Sequence, residues 1–193
     1  SVSLYAPGHG DLPAALRRSG ALARFRANGG RVLLMSNVDN LAATVDPAVI
    51  GAHLEGRRPV TVEVVRAQAG DTGGAPVRVD GHLQITEGFR FPANYPAHTL
   101  PAFNTNTFVL DAEALDQEFP LSWFLVSKRV DGREVVQFER LVGEITAFLP
   151  STYLVVPRTG VDSRFQPAKD PQELALALPT IEAILTHRGV LPI

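Results

Sequence analysis

The apolar and polar positions of the chain alternate between helix-like and strand-like patterns. Residues 11–28 predict a helix, with Asp11 as the N-cap, Pro13 in the first turn and a Gly-Gly pair at the end. Residues 31–36 are nearly all apolar, which is typical of a strand that is buried on both faces. A helix, a glycine turn and a buried strand in this order predict an α/β layer with a parallel core.

The same two patterns continue to the end of the chain. Asp80-Gly81 is a strong hairpin signal within residues 77–86. Residues 122–129 and the residues from Val135 onward have the pattern of a strand that leads towards a helix through Gly143. The other predicted elements are a helix at 46–54, strands at 60–65 and 153–157, a short apolar run at 102–103, and a helix at 171–188 that is interrupted or kinked near Pro179.

Composition and charge limit the classes of protein to which the chain can belong. The chain has 193 residues, 45% of them hydrophobic, and a mean hydropathy of +0.06, so it is expected to fold as a globular domain rather than stay disordered. The formal net charge of −2 provides no field that would recruit nucleic acid or an anionic membrane. No cysteine is present, which excludes disulfides, cysteine nucleophiles and thiolate metal sites.

The sequence shows no pattern of a membrane span or a leader. No apolar run approaches the ~18 residues that span a bilayer. The first seven residues lack the charged and apolar zones of a signal peptide, so a cytoplasmic location is expected. The five histidines are scattered without an i, i+4 pair, and no G-x-S-x-G stretch occurs, so neither a zinc site nor a serine hydrolase is expected.

Polar side chains follow the first buried strand directly, at residues 36–40. Ligands of open α/β sheets collect at the carboxyl ends of strands. Two amides, of Asn37 and Asn40, can recognise hydroxyl groups here, and the carboxylate of Asp39 can ligate a hard metal ion. The alternative is a plain turn, because Asn and Asp also bend the backbone through their own side-chain hydrogen bonds.

A second polar group, Asn-Thr-Asn at residues 104–106, follows the apolar run at 102–103. It repeats the pattern of the first group, and the alternative is a polar turn before a helix capped near Asp111. Glu87 ends the second strand of the predicted hairpin. Taken alone, Glu87 is interpreted as a solvated hairpin carboxylate.

Glycines surround one histidine near the start of the chain. Gly8, His9 and Gly10 precede the first predicted helix; glycines let the backbone approach a ligand closely, and helix N-termini favour anions. The alternative is a flexible loop with an incidental histidine. Residues 71–74 are also glycine-rich, but they lack the spacing of a phosphate loop and are interpreted as a turn.

Three basic residues, Arg158, Arg164 and Lys169, lie in one loop after the predicted strand at 153–157. They form a candidate phosphate clamp, and the alternative is a solvated basic loop. Of the 18 basic residues only Lys128 and Lys169 are lysines. This usage hints that a lysine has a role here that a guanidinium does not fill.

Several short motifs follow one another along the chain. They are PGHGD at residues 7–11, SNVDNL at 36–41, Glu87, FNTN at 103–106, QFE at 137–139 with Gly143, VPR at 156–158 and RFQPAK at 164–169. In this order they resemble the motifs of the UDP-sugar pyrophosphorylase family, which includes UTP-glucose-1-phosphate uridylyltransferase and the UDP-N-acetylhexosamine pyrophosphorylases. Each motif alone is weak evidence for the family, whereas their combination in this order is specific to it.

The resemblance implies a nucleotide-diphospho-sugar transferase fold, which is a Rossmann-like α/β fold with a mixed, mostly parallel sheet flanked by helices, here incomplete at its N-terminus. It also implies the reaction of UTP with a sugar 1-phosphate to give a UDP-sugar, with UDP-glucose expected, and pyrophosphate. Residues 1–193 would be the sugar-binding portion of the catalytic domain. Positioning and charge stabilisation would dominate such a reaction.

The resemblance further assigns roles to individual residues. Lys169 is expected to act on the phosphates as a compact charge, and His9 to approach the phosphate and the sugar. Asp39 is the candidate ligand of a Mg²⁺ cofactor. The expected substrate-binding residues are Gly8, Asn37, Glu87, Asn104, Asn106 and Arg164.

Departures from the family pattern leave alternatives open. The chain has no L-x-G-G-x-G-T segment, which in the family lies upstream and holds the uridine triphosphate, so we expect a C-terminal portion of a longer enzyme. Residues 71–74 lack the family's lysine, and Thr107 stands where the family has a second asparagine. The alternative to an active enzyme is a catalytically silent sugar-nucleotide-binding fragment or a regulatory relative. The preferred sugar and the oligomeric state stay open.

Overall fold

The structure is a computed structural model and describes residues 8–130 and 132–191. The first seven residues, which carry Pro7 of the PGHGD motif and the signal-peptide prediction, lie outside the described residues. In the described ranges the helices are α1 (Leu12–Arg18), α2 (Ala21–Ala27), α3 (Pro47–Gly56) and α4 (Pro171–His187). The strands there are β1 (Val32–Met35), β2 (Val60–Arg66), β3 (Gly74–Val79), β4 (His82–Glu87), β5 (Ala102–Asp111), β6 (Phe124–Val130), β7 (Arg133–Glu139) and β8 (Ser151–Val155).

The helix predicted over residues 11–28 is in fact two helices, α1 and α2. Gly20 separates them with φ 69°, a left-handed conformation that costs a residue with a Cβ atom about 1 kcal/mol or more. Asp11 occupies the predicted N-cap position, at the start of α1, but the capping contact is absent. Its carboxylate makes no capping hydrogen bond and pairs with Arg140 instead.

The two later helices each begin with an aspartate at the N-cap position. The carboxylate of Asp46 accepts a hydrogen bond from the N–H of Ala48 at 2.8 Å, at the start of α3. Asp170 accepts two backbone N–H groups in the same way at the start of α4. The helix α4 continues through Pro179 to His187, so it is not interrupted there.

The central sheet of the described residues has the strand order β1-β5-β2-β8. Strands β2 and β8 are parallel, whereas β1 and β2 are each antiparallel to β5. The predicted mixed sheet with flanking helices is confirmed, and three of its four strands run in one direction. The prediction of a parallel core is wrong. Strand β5 runs in the opposite direction between β1 and β2, so two of the three strand pairs are antiparallel.

A bulge in β5 replaces the predicted strand end at Asn104. The register pairs Glu63 with Thr107 and then Val64 with Asn104, so β5 carries two extra residues at this point. Asn106, inside the bulge, has φ 56°. The polar group at 104–106 therefore lies within a strand, and residues 112–117 form turns rather than the helix expected after Asp111. Because β5 is antiparallel, its start reaches the carboxyl ends of β1 and β2.

Two hairpins extend from the central sheet. The predicted hairpin is confirmed as β3 and β4, with Asp80 at φ 49° and Gly81 at φ 84° in the turn. Strands β6 and β7 form the second hairpin. The extended chain expected from Val135 onward is confirmed, because Val135 pairs across to β6 and the strand continues to Glu139. Gly143 lies in a short 3₁₀ helix, Val142–Ala147.

The hydrophobic core joins β2 and β5 to α2 and to the 3₁₀ helix at 142–147. Its buried members include Leu22, Val60, Val62, Val64, Phe108, Leu110, Leu115 and Ile145. This core fixes the bulge of β5 against β2, and it therefore fixes the position of the polar residues described below. None of the helices in residues 8–130 and 132–191 is long and apolar enough to cross a bilayer.

Candidate functional site

The loop that carries His9 is packed tightly against the chain that follows β7. The N–H of Gly10 donates to the carbonyl oxygen of Arg140 at 2.8 Å. A Cβ atom on Gly8 would lie 2.5 Å from the same oxygen, and one on Gly10 would lie 2.5 Å from the backbone of Leu141. The close approach that these glycines allow is therefore to protein backbone, which gives the Gly8-to-Gly10 turn a clear structural role.

A backbone hydrogen bond fixes the orientation and the tautomer of His9. The N–H of Val142 donates to Nδ1 of His9 at 2.9 Å, so Nδ1 is an acceptor and the proton of the neutral ring is on Nε2. Burial lowers the pKa of His9, and the nearby carboxylate of Glu139 offsets part of that effect. At neutral pH His9 is thus an uncharged ring that carries its proton on Nε2.

His9 faces a cleft that also contains two other predicted site residues. The cleft has a volume of about 390 Å³ and lies between the bulge of β5, the end of β4 and the β6–β7 hairpin. Its lining includes His9, Glu87, Phe89, Asn106, Leu125 and Ser127. The fold therefore brings together residues that lie far apart in the sequence, such as His9 and Ser127. Clefts of this size are typical of small-ligand sites.

Glu87 is a partly buried carboxyl group rather than a solvated one. Burial raises its pKa, and the positive charge of Arg90 opposes that effect. Gly74 lies opposite Glu87 on the neighbouring strand, and a Cβ atom there would come within 2.9 Å of the Glu87 Oε1 atom. Gly74 therefore leaves the space that the carboxyl group of Glu87 occupies.

Asn104 holds the bulge in place and Asn106 reaches the cleft. The Asn104 Nδ2 group donates to Oδ1 of Asn106 at 2.8 Å, and Asn104 Oδ1 accepts the backbone N–H of Asn106 at 3.0 Å. Asn104 is only 2% exposed. These bonds satisfy its buried amide and orient the side chain of Asn106.

The two loops that carry Asp39 and Lys169 are hydrogen-bonded to each other. The N–H of Ala168 donates to the carbonyl oxygen of Asp39 at 3.0 Å, and the N–H of Gln166 donates to Oδ1 of Asn40 at 2.9 Å. This pairing places Asp39 beside the segment that leads to Lys169, whose side chain is exposed.

A further contact joins this pair of loops to the sheet. The hydroxyl groups of Ser36 and Thr107 lie 3.0 Å apart, next to the bulge of β5. Asn37, which follows Ser36 and is partly buried, is thereby held near the same edge of the sheet. Asn37, Asp39 and Lys169 thus lie on two paired loops that adjoin β5.

The structure does not bring Arg164 to the cleft. Arg164 is 3% exposed, and its guanidinium donates to both carboxylate oxygens of Glu63, from Nε at 2.7 Å and from Nη2 at 2.6 Å. Arg158 is likewise bound by both oxygens of Asp71, each at 2.7 Å. The three basic residues of this loop do not form the predicted clamp, because two of them have carboxylate partners and only Lys169 remains exposed.

Sequence reasoning missed Glu63, which is fully buried in β2. The available signal was a single carboxylate within the apolar run Val-Thr-Val-Glu-Val-Val, since a charge in such a strand needs a buried partner. Thr107 and the backbone N–H of Val142 were also missed. Neither carries a signal in the sequence, because their roles come from contacts across the fold.

Within residues 8–130 and 132–191, no three histidine, aspartate or glutamate side chains converge on a common point that could hold a metal ion. Asp39 contributes one carboxylate beside the Lys169 loop. An ion held there would therefore take most of its ligands from a bound substrate and from water, an arrangement that Mg²⁺ accepts readily.

Comparison with known proteins extends these observations. The sequence model of the family UTP–glucose-1-phosphate uridylyltransferase matches residues 1–185. The chain is 29% identical over 185 residues to the UTP–glucose-1-phosphate uridylyltransferase of Encephalitozoon cuniculi, covering 90% of this chain and 37% of that protein. It is 30% identical over 188 residues to the one of Hordeum vulgare, covering 89% of this chain and 38% of that protein.

The fold is similar to that of a solved relative. A variant of the UDP-glucose pyrophosphorylase from Leishmania major, in complex with UDP-glucose, superposes with a TM-score of 0.72 at 28% identity. The match covers 88% of this chain and 41% of that one, so the chain spans about two fifths of the length of the relatives it matches. The family match over nearly the whole sequence shows that the chain belongs to the UTP–glucose-1-phosphate uridylyltransferase family.

Proposed function

We propose that the protein is a uridylyltransferase, which forms a UDP-sugar and pyrophosphate from UTP and a sugar 1-phosphate, and that this chain holds the sugar phosphate. UDP-glucose is the expected product. The observation that carries the proposal is the convergence of His9, Glu87 and Asn106 on one cleft of about 390 Å³. Family membership supplies the class of reaction.

The polar groups of the cleft suit the hydroxyl groups of a sugar. The carboxyl group of Glu87 accepts hydrogen bonds from hydroxyls, and the amide of Asn106 both donates and accepts. Asn37 and Asn104 are proposed to act with them, Asn104 through its hold on Asn106. Glu87 and Asn106 pair with hydroxyls of the sugar in place of water, so the cleft selects for a polyhydroxylated ring.

The transfer step needs charge stabilisation more than covalent help from the protein. An oxygen of the sugar phosphate attacks the α-phosphorus of UTP in line, and the bond from that phosphorus to the oxygen of the leaving pyrophosphate breaks. The attacking oxygen is already anionic, so no general base is required. The neutral ring of His9 donates from Nε2 to a phosphate or sugar oxygen, and the compact ammonium group of Lys169 stabilises the phosphate charge.

Asp39 is proposed as the residue of this chain that ligates Mg²⁺. A single carboxylate fits an ion that is bound together with the phosphates of a nucleotide, because Mg²⁺ keeps several waters and substrate oxygens among its six ligands. When bound, the ion would neutralise phosphate charge. The role of Asp39 is to hold it at the end of β1, beside the loop of Lys169.

Calorimetric titration of the chain with UDP-glucose and Mg²⁺ tests this proposal, with UDP-N-acetylglucosamine as the comparator. Saturable binding is expected, and Glu87→Gln is expected to weaken it by about tenfold, the cost of one charged hydrogen bond. Glu134→Gln, which removes an exposed carboxylate of β7, is the matched control and should bind like the wild type. A folded sample that binds neither sugar nucleotide would contradict the assignment of the sugar site to this chain.

A catalytically silent sugar-nucleotide-binding relative is the second candidate, since the chain spans about two fifths of its relatives. Pyrophosphate release from UTP and glucose 1-phosphate, measured on the complete natural protein that contains this chain, separates the two. Turnover supports the enzyme. Binding without turnover in that protein supports the silent relative.

A further inference from the structure

A second and larger cavity adjoins the cleft. It has a volume of about 910 Å³, and its walls come from the glycine-rich turn before β3 and from the segment between β4 and β5. Its lining includes Gly73, Gly74, Phe91, His98 and Phe103. Glu87 and Phe89 line both this cavity and the cleft, so these two residues form the boundary between them.

Phe89 is the larger part of that boundary. It lies in the short 3₁₀ turn Gly88–Arg90, directly after Glu87, and the N–H of Gly88 donates to the carbonyl oxygen of Gly73 at 2.9 Å. The ring of Phe89 meets Phe124 of β6 edge to face, with centroids 5.3 Å apart. The side chain thus extends from the anchored turn to the β6–β7 hairpin, and it is 61% exposed.

We propose that Phe89 is a specificity-determining residue, which sets the upper limit on the size of the sugar that the cleft accepts. This inference rests on the proposed function, because it concerns the same sugar site. A hexose that bonds to Glu87 lies against the neighbouring side chain of Phe89, so an acyl group on that edge of the sugar meets the ring. Without the ring, the same group enters the cavity of about 910 Å³.

The test is a calorimetric comparison of three ligands on the full chain. They are UDP-glucose, UDP-N-acetylglucosamine and a UDP-glucose acylated at the 6-hydroxyl, so that acyl groups on two edges of the ring are sampled. The wild type is expected to prefer UDP-glucose to both acylated ligands. Phe89→Ala is expected to shift the preference towards at least one of them by about tenfold or more, the usual range for opening an apolar pocket.

Phe91→Ala is the matched control. It removes the same ring from the same segment, but Phe91 lines only the larger cavity, where it stacks on Tyr95 at 4.7 Å. This variant should keep the ligand preference of the wild type. Thermal unfolding of both variants shows that any change in preference is not a loss of folded protein.

The outcomes separate this inference from the proposed function. Equal affinity of the wild type for all three ligands overturns the role of Phe89, as does an unchanged preference in Phe89→Ala or an equal shift in Phe91→Ala. In each of these cases UDP-glucose still binds, so the proposed function stands. A folded wild-type chain that binds none of the ligands overturns the proposed function and this inference together.

Discussion

Arg164 and Glu63 form a buried two-point ion pair, with the Nε and Nη2 atoms of Arg164 at 2.7 Å and 2.6 Å from the two carboxylate oxygens of Glu63. The Nη2 group of Arg164 also donates to the carbonyl oxygen of Thr44 at 3.0 Å. The pair therefore ties the loop after β8 to the centre of the sheet and to the loop after β1. These are the two loops that carry Lys169 and Asp39.

We expect Arg164→Leu to destabilise the fold by about 3–5 kcal/mol, because it leaves the carboxylate of Glu63 buried without a partner. Urea unfolding measures the change. The double variant Arg164→Leu with Glu63→Met should recover most of the loss, since it removes both charges. Arg18→Leu is the control: its pair with Asp11 spans 3.6 Å at a side chain that is 68% exposed, and such pairs contribute less than about 1 kcal/mol. Equal losses in Arg164→Leu and Arg18→Leu would argue against the buried pair.

Asn104→Ala should weaken the binding of UDP-glucose while the circular dichroism spectrum stays that of the folded chain. The substitution removes both hydrogen bonds that hold Asn106 in its bulge, so the cleft loses an oriented amide. A loss of about tenfold in affinity corresponds to one such bond. A collapse of the spectrum in Asn104→Ala would favour a purely structural role for the bulge.

Lys169→Ala in the complete protein is expected to lower turnover by orders of magnitude, since a charge on the transferred phosphates contributes mainly to the transition state. The side chain is exposed, so the midpoint of thermal unfolding should not change. Lys169→Arg keeps the charge but not its compact form, and it should restore only part of the rate. An unchanged rate in Lys169→Ala would remove this residue from the mechanism.

The pKa of His9 predicts how stability depends on pH. The pKa is lowered by burial from 6.5, so the unfolded chain binds a proton at a higher pH than the native chain does. The contribution of His9 to the free energy of unfolding is therefore complete above pH 6.5. It is lost as the pH falls below 6.5 towards the lower pKa of the folded chain. Glu87 has the opposite effect. Its pKa is raised from 4.5, so its contribution to the free energy of unfolding is lost as the pH rises above that value.

His9→Asn isolates this effect, because asparagine places an acceptor near the position of Nδ1 but does not titrate. We expect the difference in unfolding free energy between wild type and variant to shrink as the pH is lowered from 7 towards 5, as His9 starts to titrate in the unfolded chain. Urea unfolding across this range measures it. A difference that is constant with pH would mean that His9 has an ordinary pKa in the folded chain.

The local sequence determined those elements that depend on contacts between residues only a few positions apart. The caps at Asp46 and Asp170 start α3 and α4, and Asp80-Gly81 closes the first hairpin, because each of these residues acts on a backbone only two or three positions away. The break at Gly20 was missed for the opposite reason. The apolar spacing alone fits one long helix, and only the left-handed turn of the folded chain divides it.

The sequence by itself determined the family, the presence of a mixed α/β sheet, and the set of polar residues from which a sugar site could be built. Only the tertiary structure decided how these residues are used. The antiparallel insertion of β5 brings Asn106 to His9 and Glu87, whereas the buried carboxylate of Glu63 binds Arg164 away from the cleft. The physical reason is that a motif records which side chain is present, while burial and pairing across strands, which depend on residues a hundred positions away, decide which side chains remain free to bind a ligand.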